Sequence, residues 1–157
     1  MRHKIAAIIG PGEGATDHNI TQAFNVGSIC AQKGYTVLTG GRKSGVMHSA
    51  LEGAKAHNGT TIGILPGSDA NDASEFVDIP ICTNMGQSRN LVNILSADVI
   101  ISVGMGPGTA SEISLAVKHE KHVYMLADHP SHATFFDSLS EKKFIHLSSL
   151  EQLSEVL

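Results

Sequence analysis

The sequence predicts an α/β domain, a doubly wound, Rossmann-like parallel sheet with helices on both faces. Three observations carry this reading. Apolar runs alternate with stretches of helical periodicity along the 157 residues, which forces right-handed crossovers and a parallel sheet covered on both sides. Three of the apolar runs end in glycine-rich turns. An apolar content of 41% against 17% charged residues, with no Trp, places the core volume on Ile, Val, Leu and Ala in a single domain spanning residues 1–157.

The elements follow in order. A strand over 4–9, built on Ile5-Ala-Ala-Ile-Ile9, runs into the turn Gly10-Pro-Gly-Glu-Gly14. A helix over 18–33 stops at Lys33-Gly34, a cation and a glycine suited to a helix C-terminus. Tyr35-Thr-Val-Leu38 is the second strand and ends at Thr39-Gly-Gly-Arg42. A helix over 45–57, with Lys55 and Gly59 at its end, leads to strands over 60–65 and 77–81. Then come a helix over 87–96, a strand over 98–103, a helix over 108–119 with Lys118 and Lys121 at its end, a strand over 122–126, a helix over 131–140, a strand over 144–147 and a helix over 148–156. Ser148-x-x-Glu151 has capping-box spacing at the start of the last helix.

Composition narrows the function. The formal net charge of −4, with no clustered basic stripe, argues against a nucleic-acid surface. No apolar stretch is long enough for a signal peptide or a membrane span, so a cytoplasmic protein is expected. Cys30 and Cys82 are spaced for neither a metal pair nor a disulfide framework and are expected as buried, reduced thiols. His129-x-x-His132 carries Pro130 between its histidines and lacks a third ligand, so no metal site is expected. The first turn misses the G-x-G-x-x-G spacing and no acidic residue follows the second strand, which argues against an NAD-dependent oxidoreductase.

The strongest functional signal is Ser102-Val-Gly-Met-Gly-Pro-Gly-Thr-Ala-Ser-Glu112. A strand feeding a glycine-rich turn that opens a helix leaves unpaired N–H groups and the positive helix pole facing one point, which suits a phosphate. In a parallel sheet all three glycine turns lie at the same edge, so they should converge on one crevice. Candidate ligands are therefore Gly10, Pro11 and Gly12; Thr39, Gly40, Gly41 and Arg42; Ser88 and Arg89; and Gly106, Pro107, Gly108, Thr109 and Glu112. Thr109-x-x-Glu112 also has capping-box spacing, and the two roles can coexist. Arg89 sits near a helix N-terminus, where the dipole disfavours a cation. Either a bound anion contacts its guanidinium bidentately, or it is an exposed side chain paired with a carboxylate.

Taken together, Gly40-Gly-Arg, Gly45-Val-Met-His48, Gly53-Ala-Lys, Thr61-Ile-Gly-Ile-Leu-Pro-Gly67 and Gly104-Met-Gly-Pro-Gly-Thr-Ala-Ser-Glu112 resemble the Lonely Guy-like Rossmann superfamily, and within it the molybdenum cofactor carrier proteins. The resemblance spans roughly residues 5 to 126. It implies a homo-oligomer, dimer or tetramer, that binds the molybdenum cofactor (a molybdopterin with one phosphate monoester) as cargo. It further implies protection of that cargo for transfer to molybdoenzymes, without catalysis. The superfamily also contains cytokinin-activating phosphoribohydrolases acting on nucleoside 5'-monophosphates. Their Pro-Gly-Gly-x-Gly-Thr-x-x-Glu motif is matched here at Gly106, Gly108, Thr109 and Glu112 but not at Gly104 and Met105. Their Met-x-x-Arg-Lys element falls near Met85 to Asn90, retaining Arg89 without the lysine. If the chain were such a hydrolase, Arg89 and Glu112 would be its catalytic pair.

Overall fold

The computed structural model describes residues 2–126, 129–140 and 144–157. Its strands are β1 (Ile5–Ile9), β2 (Thr36–Thr39), β3 (Thr61–Leu65), β4 (Ile79–Cys82), β5 (Val99–Ser102), β6 (Val123–Leu126) and β7 (Phe144–Leu147). All pair in parallel in the order β4-β3-β2-β1-β5-β6-β7. The helices are α1 (Asp17–Gln32), α2 (Gly45–Ala56), α3 (Asn90–Ser96), α4 (Pro107–Lys118), α5 (Pro130–Asp137) and α6 (Leu150–Val156). The doubly wound parallel sheet is as the sequence predicts. The predicted helix over 87–96 is instead a single 3₁₀ turn, Gly86–Arg89, followed by α3.

Alternating side chains of one strand feed two cores. Ala6 and Ile8 of β1 join Ala23, Val26, Val46 and Ala50 on the α1/α2 face, whereas Ala7 and Ile9 join Ile94, Ile100, Ile113 and Ala116 on the α3/α4 face. Because β1 is covered on both sides, it reads as an unbroken apolar run. The chain leaves β1 toward β2 on one side and returns beside it as β5 on the other, so the strand order reverses between β1 and β5. The loops that follow these two strands therefore part and leave a crevice at the carboxyl edge of the sheet.

Several local expectations are corrected. Cys30 is buried in α1, where loss of solvent pushes its thiol up to about 12. Cys82, by contrast, is exposed, because β4 is an edge strand whose four residues all face solvent. The cap of α6 falls one residue later than predicted: Ser149 Oγ accepts from the Gln152 N–H, and Gln152 Oε1 accepts from the Ser148 N–H at 2.8 Å. Lys121 does not close its own helix. Its Nζ donates to the carbonyls of Leu95 and Ala97 at the end of α3.

Helices α1 and α2 meet backbone to backbone. A Cβ built on Gly27 would lie 1.9 Å from the Ala50 carbonyl oxygen, and one on Gly53 would lie 1.9 Å from that of Phe24. Ser28 Oγ crosses the same seam to the Gly53 carbonyl at 3.1 Å. Gly53→Ala gains about 1 kcal/mol of helix propensity but must push two packed backbones apart, a cost of about 1–3 kcal/mol. The overlap wins, and the urea midpoint of Gly53→Ala is expected to fall. A midpoint at or above wild type would show that the two helices separate freely.

Candidate functional site

The glycine turns meet as predicted. The turn after β1, the Gly40–Arg42 turn after β2, the 3₁₀ turn with the start of α3, and the Gly106–Thr109 start of α4 enclose one cavity of about 490 Å³, within the range of small-molecule sites. Gly10, Pro11, Gly12, Gly40, Arg42, Arg89, Gly106, Pro107, Gly108, Thr109 and Glu112 all line it. Three candidates do not. Thr39 is buried and its Oγ1 accepts from the Gly41 N–H at 3.0 Å, which holds the turn closed. Gly41 has φ +77°, and a Cβ there would lie 2.8 Å from the Gly63 Cα. Ser88 is exposed on the 3₁₀ turn.

The start of α4 is bare of capping side chains. Its N-cap is Gly106, which supplies no side-chain hydrogen bond, and Pro107 has no N–H to satisfy. The Ala110 N–H already bonds the Gly106 carbonyl at 2.9 Å. That leaves the Gly108 and Thr109 N–H groups at the positive pole of the helix. Thr109 is 2% exposed, and its buried Oγ1 has no partner among the described residues. The capping-box reading of Thr109 and Glu112 is thereby overturned, because Thr109 lies in the third position of the helix and caps nothing. Gly108 has no steric need to be glycine: a Cβ there meets nothing within 4 Å. Gly10 and Gly40 differ, since Cβ atoms there would lie 2.3 Å from the Val103 carbonyl oxygen and 2.9 Å from Arg89 Nη2.

Arg89 is buried, contrary to the exposed alternative. Its Nε donates to the Ile64 carbonyl at 2.7 Å, Nη1 to Asn90 Oδ1 at 3.2 Å and Nη2 to the Gly40 carbonyl at 3.4 Å. The guanidinium is thus a pinned cation rather than an open fork. Burial lowers its pKa, the Glu112 carboxylate opposes that, and neighbouring Arg42 adds to it. Arg42 has the opposite character: it is half-buried, and its guanidinium has no hydrogen-bond or ion-pair partner among the described residues. A bidentate grip on an anion is open to Arg42.

On the α3/α4 side, Glu112 Oε1 accepts from Asn93 Nδ2 at 3.0 Å. Burial pushes the Glu112 carboxyl up to about 7, against the lowering effects of the Asn93 hydrogen bond and Arg89. Asn93 is itself 2% exposed, and its buried Oδ1 has no partner among the described residues. Sequence reasoning missed Asn93, along with Asn90, Gln87, Met47 and Met105, which also line the cavity. One available signal was the position of Asn93 a helical turn after Arg89, immediately before the core residue Ile94. Among the described residues no group of three or more His, Cys, Asp or Glu is placed to hold a metal. His129 caps α5, its Nδ1 accepting from the Ser131 N–H. Among the described residues no helix is long and apolar enough to cross a membrane.

Fold and site together define a Rossmann-like domain with a glycine-lined cavity at its topological switch point. More narrowly, the chain belongs to the SLOG cluster4 family, which it matches over residues 3–154. It is similar to the molybdenum cofactor binding protein of the phototrophic bacterium Rippkaea orientalis, with 43% identity and a TM-score of 0.97 over 99% of this chain and 96% of that one. It is also similar to the molybdenum cofactor carrier protein of Chlamydomonas reinhardtii, with 40% identity and a TM-score of 0.94 over the same shares. An uncharacterised protein of Archaeoglobus fulgidus is 40% identical over 119 residues, 76% of this chain and 77% of its own length.

The buried carboxyl gives the fold a pH signature. The folded pKa of Glu112 lies above its unfolded value, so between pH 4.5 and about 7 the native state binds more protons than the unfolded chain. Its contribution is complete below pH 4.5 and is lost as pH rises through about 7, a change of up to about 3 kcal/mol. Denaturant titrations across this window should show a decline in wild type that is flattened in Glu112→Gln. Equal slopes in the two proteins would show that Glu112 ionises freely in the fold.

Proposed function

We propose that this chain binds, protects and carries the molybdenum cofactor, a phosphorylated pterin dithiolene, as cargo and without turning it over. The observation that carries the reading is the Gly106–Thr109 cradle. Two helix N–H groups are left at the positive pole of α4, near a buried Thr109 hydroxyl that has no partner among the described residues and beside a glycine that no packing demands. A phosphate monoester supplies the acceptors that this set lacks. Arg42 closes over it as a second anion contact, and the walls of Gly10, Pro11, Gly12 and Gly40 let the backbone approach the rings. The strong similarity to molybdenum cofactor binding and carrier proteins over nearly the whole chain supports the same cargo.

The reading extends to a cytoplasmic homo-oligomer, dimer or tetramer, that hands its cargo to molybdoenzymes. The unpartnered edge strand β4, with Ile79 and Ile81 exposed, supports self-association. A second reading, hydrolysis of nucleoside 5'-monophosphates, is favoured by Glu112: a carboxyl near pH 7 beside a buried arginine can serve as a general acid or base.

The deciding experiment follows oxidative loss of added cofactor in air, scored by reconstitution of a cofactor-free molybdoenzyme. The protein is expected to slow the loss, and Thr109→Val to weaken binding by about 10- to 100-fold, or roughly 1.5–3 kcal/mol. No protection beyond that of an inert protein would sink the carrier reading. Release of free base from nucleoside monophosphates, abolished in Glu112→Gln, would replace it with the hydrolase.

A further inference from the structure

The stretch from Ile79 to Ala97, nineteen residues through β4, the 3₁₀ turn and α3, carries a single charged residue, Arg89, and Arg89 is buried. Fourteen of the nineteen are exposed or half-buried, so the surface they make is free of charge in a chain where 17% of residues are charged. It is apolar as well. Among the described residues nine large hydrophobic side chains are exposed, and four belong here: Ile79, Ile81, Met85 and Leu95, each 43–48% exposed. Parallel register sets Ile79 beside Ile62 and Ile81 beside Ile64, which lie on the α3/α4 face. Register partners share a face, so Ile79 and Ile81 extend that face past its last buried strand. The charges that border it are already engaged, Asp78 by Lys55 and Lys121 by the carbonyls of Leu95 and Ala97. The other exposed hydrophobics lie among charges in sequence: Ile20 follows Asp17, Val156 follows Glu155, and Phe135, Leu139 and Ile145 flank the paired Asp137 and His146.

We propose that this surface is where two copies of the chain meet, face to face through Ile79, Ile81, Met85 and Leu95. The inference rests on the homo-oligomer part of the reading above and gives it a specific contact. A twofold contact sets a patch against its own copy, so any net charge on the patch repels itself. A chain of net charge −4 meets its copy at least electrostatic cost where it carries none. The same feature counts against a different protein, since transient partners are steered and selected by complementary charge. An apolar surface depleted of charge is the composition of a homodimer interface. Size agrees: a standard interface takes about 20–30 residues a side, and this segment supplies fourteen before its neighbours, Ile62 among them, are added. Strand-to-strand extension of the sheet is discouraged. The Thr83 N–H bonds the Leu65 carbonyl of β3, so by alternation Ile79 and Ile81 turn their backbone groups inward, and Pro80 and Cys82 turn theirs outward. Pro80 has no N–H, which leaves the outer edge of β4 one donor short. The side-chain face remains. It also reaches the cavity, because Gln87 belongs to this segment, is exposed and lines the cavity. The second copy therefore borders the cavity at Gln87.

The test is sedimentation velocity of the full chain without ligand at micromolar concentration. Wild type should sediment as a dimer or tetramer. Ile81→Glu and Leu95→Glu each set like charges against one another in the contact, and each should halve the mass or raise the dissociation constant about tenfold or more. Both side chains are nearly half exposed in the single chain, so the variants should keep the wild-type circular dichroism and unfold cooperatively. A second measurement needs no variant. In wild type, hydroxyl radicals should label Met85 and Leu95 several-fold more slowly, corrected for intrinsic reactivity, than their exposure in the single chain implies. A wild type that sediments as a single chain would overturn this inference and the homo-oligomer reading together. An oligomer that survives both substitutions would overturn the inference alone. So would one that Phe135→Glu dissociates and Ile81→Glu does not, or labelling of Met85 and Leu95 at the rate of a free surface. None of these measurements uses the cofactor, so the contact and the carrier reading stand or fall separately.

Discussion

The site depends on one topological constraint, the reversal of strand order between β1 and β5. Elsewhere in a parallel sheet the loop leaving each strand packs against its neighbour. At the reversal the chains leave in opposite directions, and the start of α4 faces the Pro11 turn across the cavity. Among the described residues the Gly108 and Thr109 N–H groups, the Thr109 hydroxyl and the Asn93 carbonyl oxygen remain unpaired there. An unpaired buried polar group costs about 1–3 kcal/mol. Two such side-chain atoms belong to residues that line the one cavity.

The glycines divide on the same ground. Gly10, Gly40 and Gly41 are required by the protein itself, because the Val103 carbonyl, the Arg89 guanidinium and the Gly63 backbone occupy the space a Cβ would need. Even with no ligand, these turns would need glycine. Gly108 is different, since its surroundings are open and its backbone conformation is one that any residue adopts. A turn-only explanation accounts for the first group and fails for Gly108.

The architecture was legible because β1, β3 and β5 are largely buried on both faces and so appear as predominantly apolar runs, each followed by glycine, proline or both. The convergence of the turns followed from parallel pairing alone. What sequence could not supply was side-chain direction. Ser88 and Arg89 are neighbours, yet one is exposed and the other is drawn inward by the carbonyls of Ile64 and Gly40, which are remote in sequence. Asn93 was missed for the same reason: its meaning comes from Glu112, nineteen residues away on another helix. The caps failed more narrowly. Thr109 and Glu112 have the spacing of a box, but the chain turns at Gly106, and three residues of displacement convert a capping hydroxyl into a free one.

The charges of the cavity fit a site that holds an anion next to a carboxylate. Arg89 cannot swing toward the ligand, because two backbone carbonyls and Asn90 hold it; it acts on the cavity as a fixed positive field. The Arg42 guanidinium, by contrast, has no hydrogen-bond or ion-pair partner among the described residues. Glu112 would repel a phosphate held one helical turn away if it were a firmly ionised acid. Its carboxyl instead stands at about 7 and can take up a proton at modest cost as an anion approaches. A buried carboxyl that yields its charge, a cation that cannot move and a second that is unpaired among the described residues are together compatible with an anionic ligand. A nucleotide-cleaving site could use the same carboxyl as an acid. For a carrier, its value would lie in tolerating a phosphate nearby.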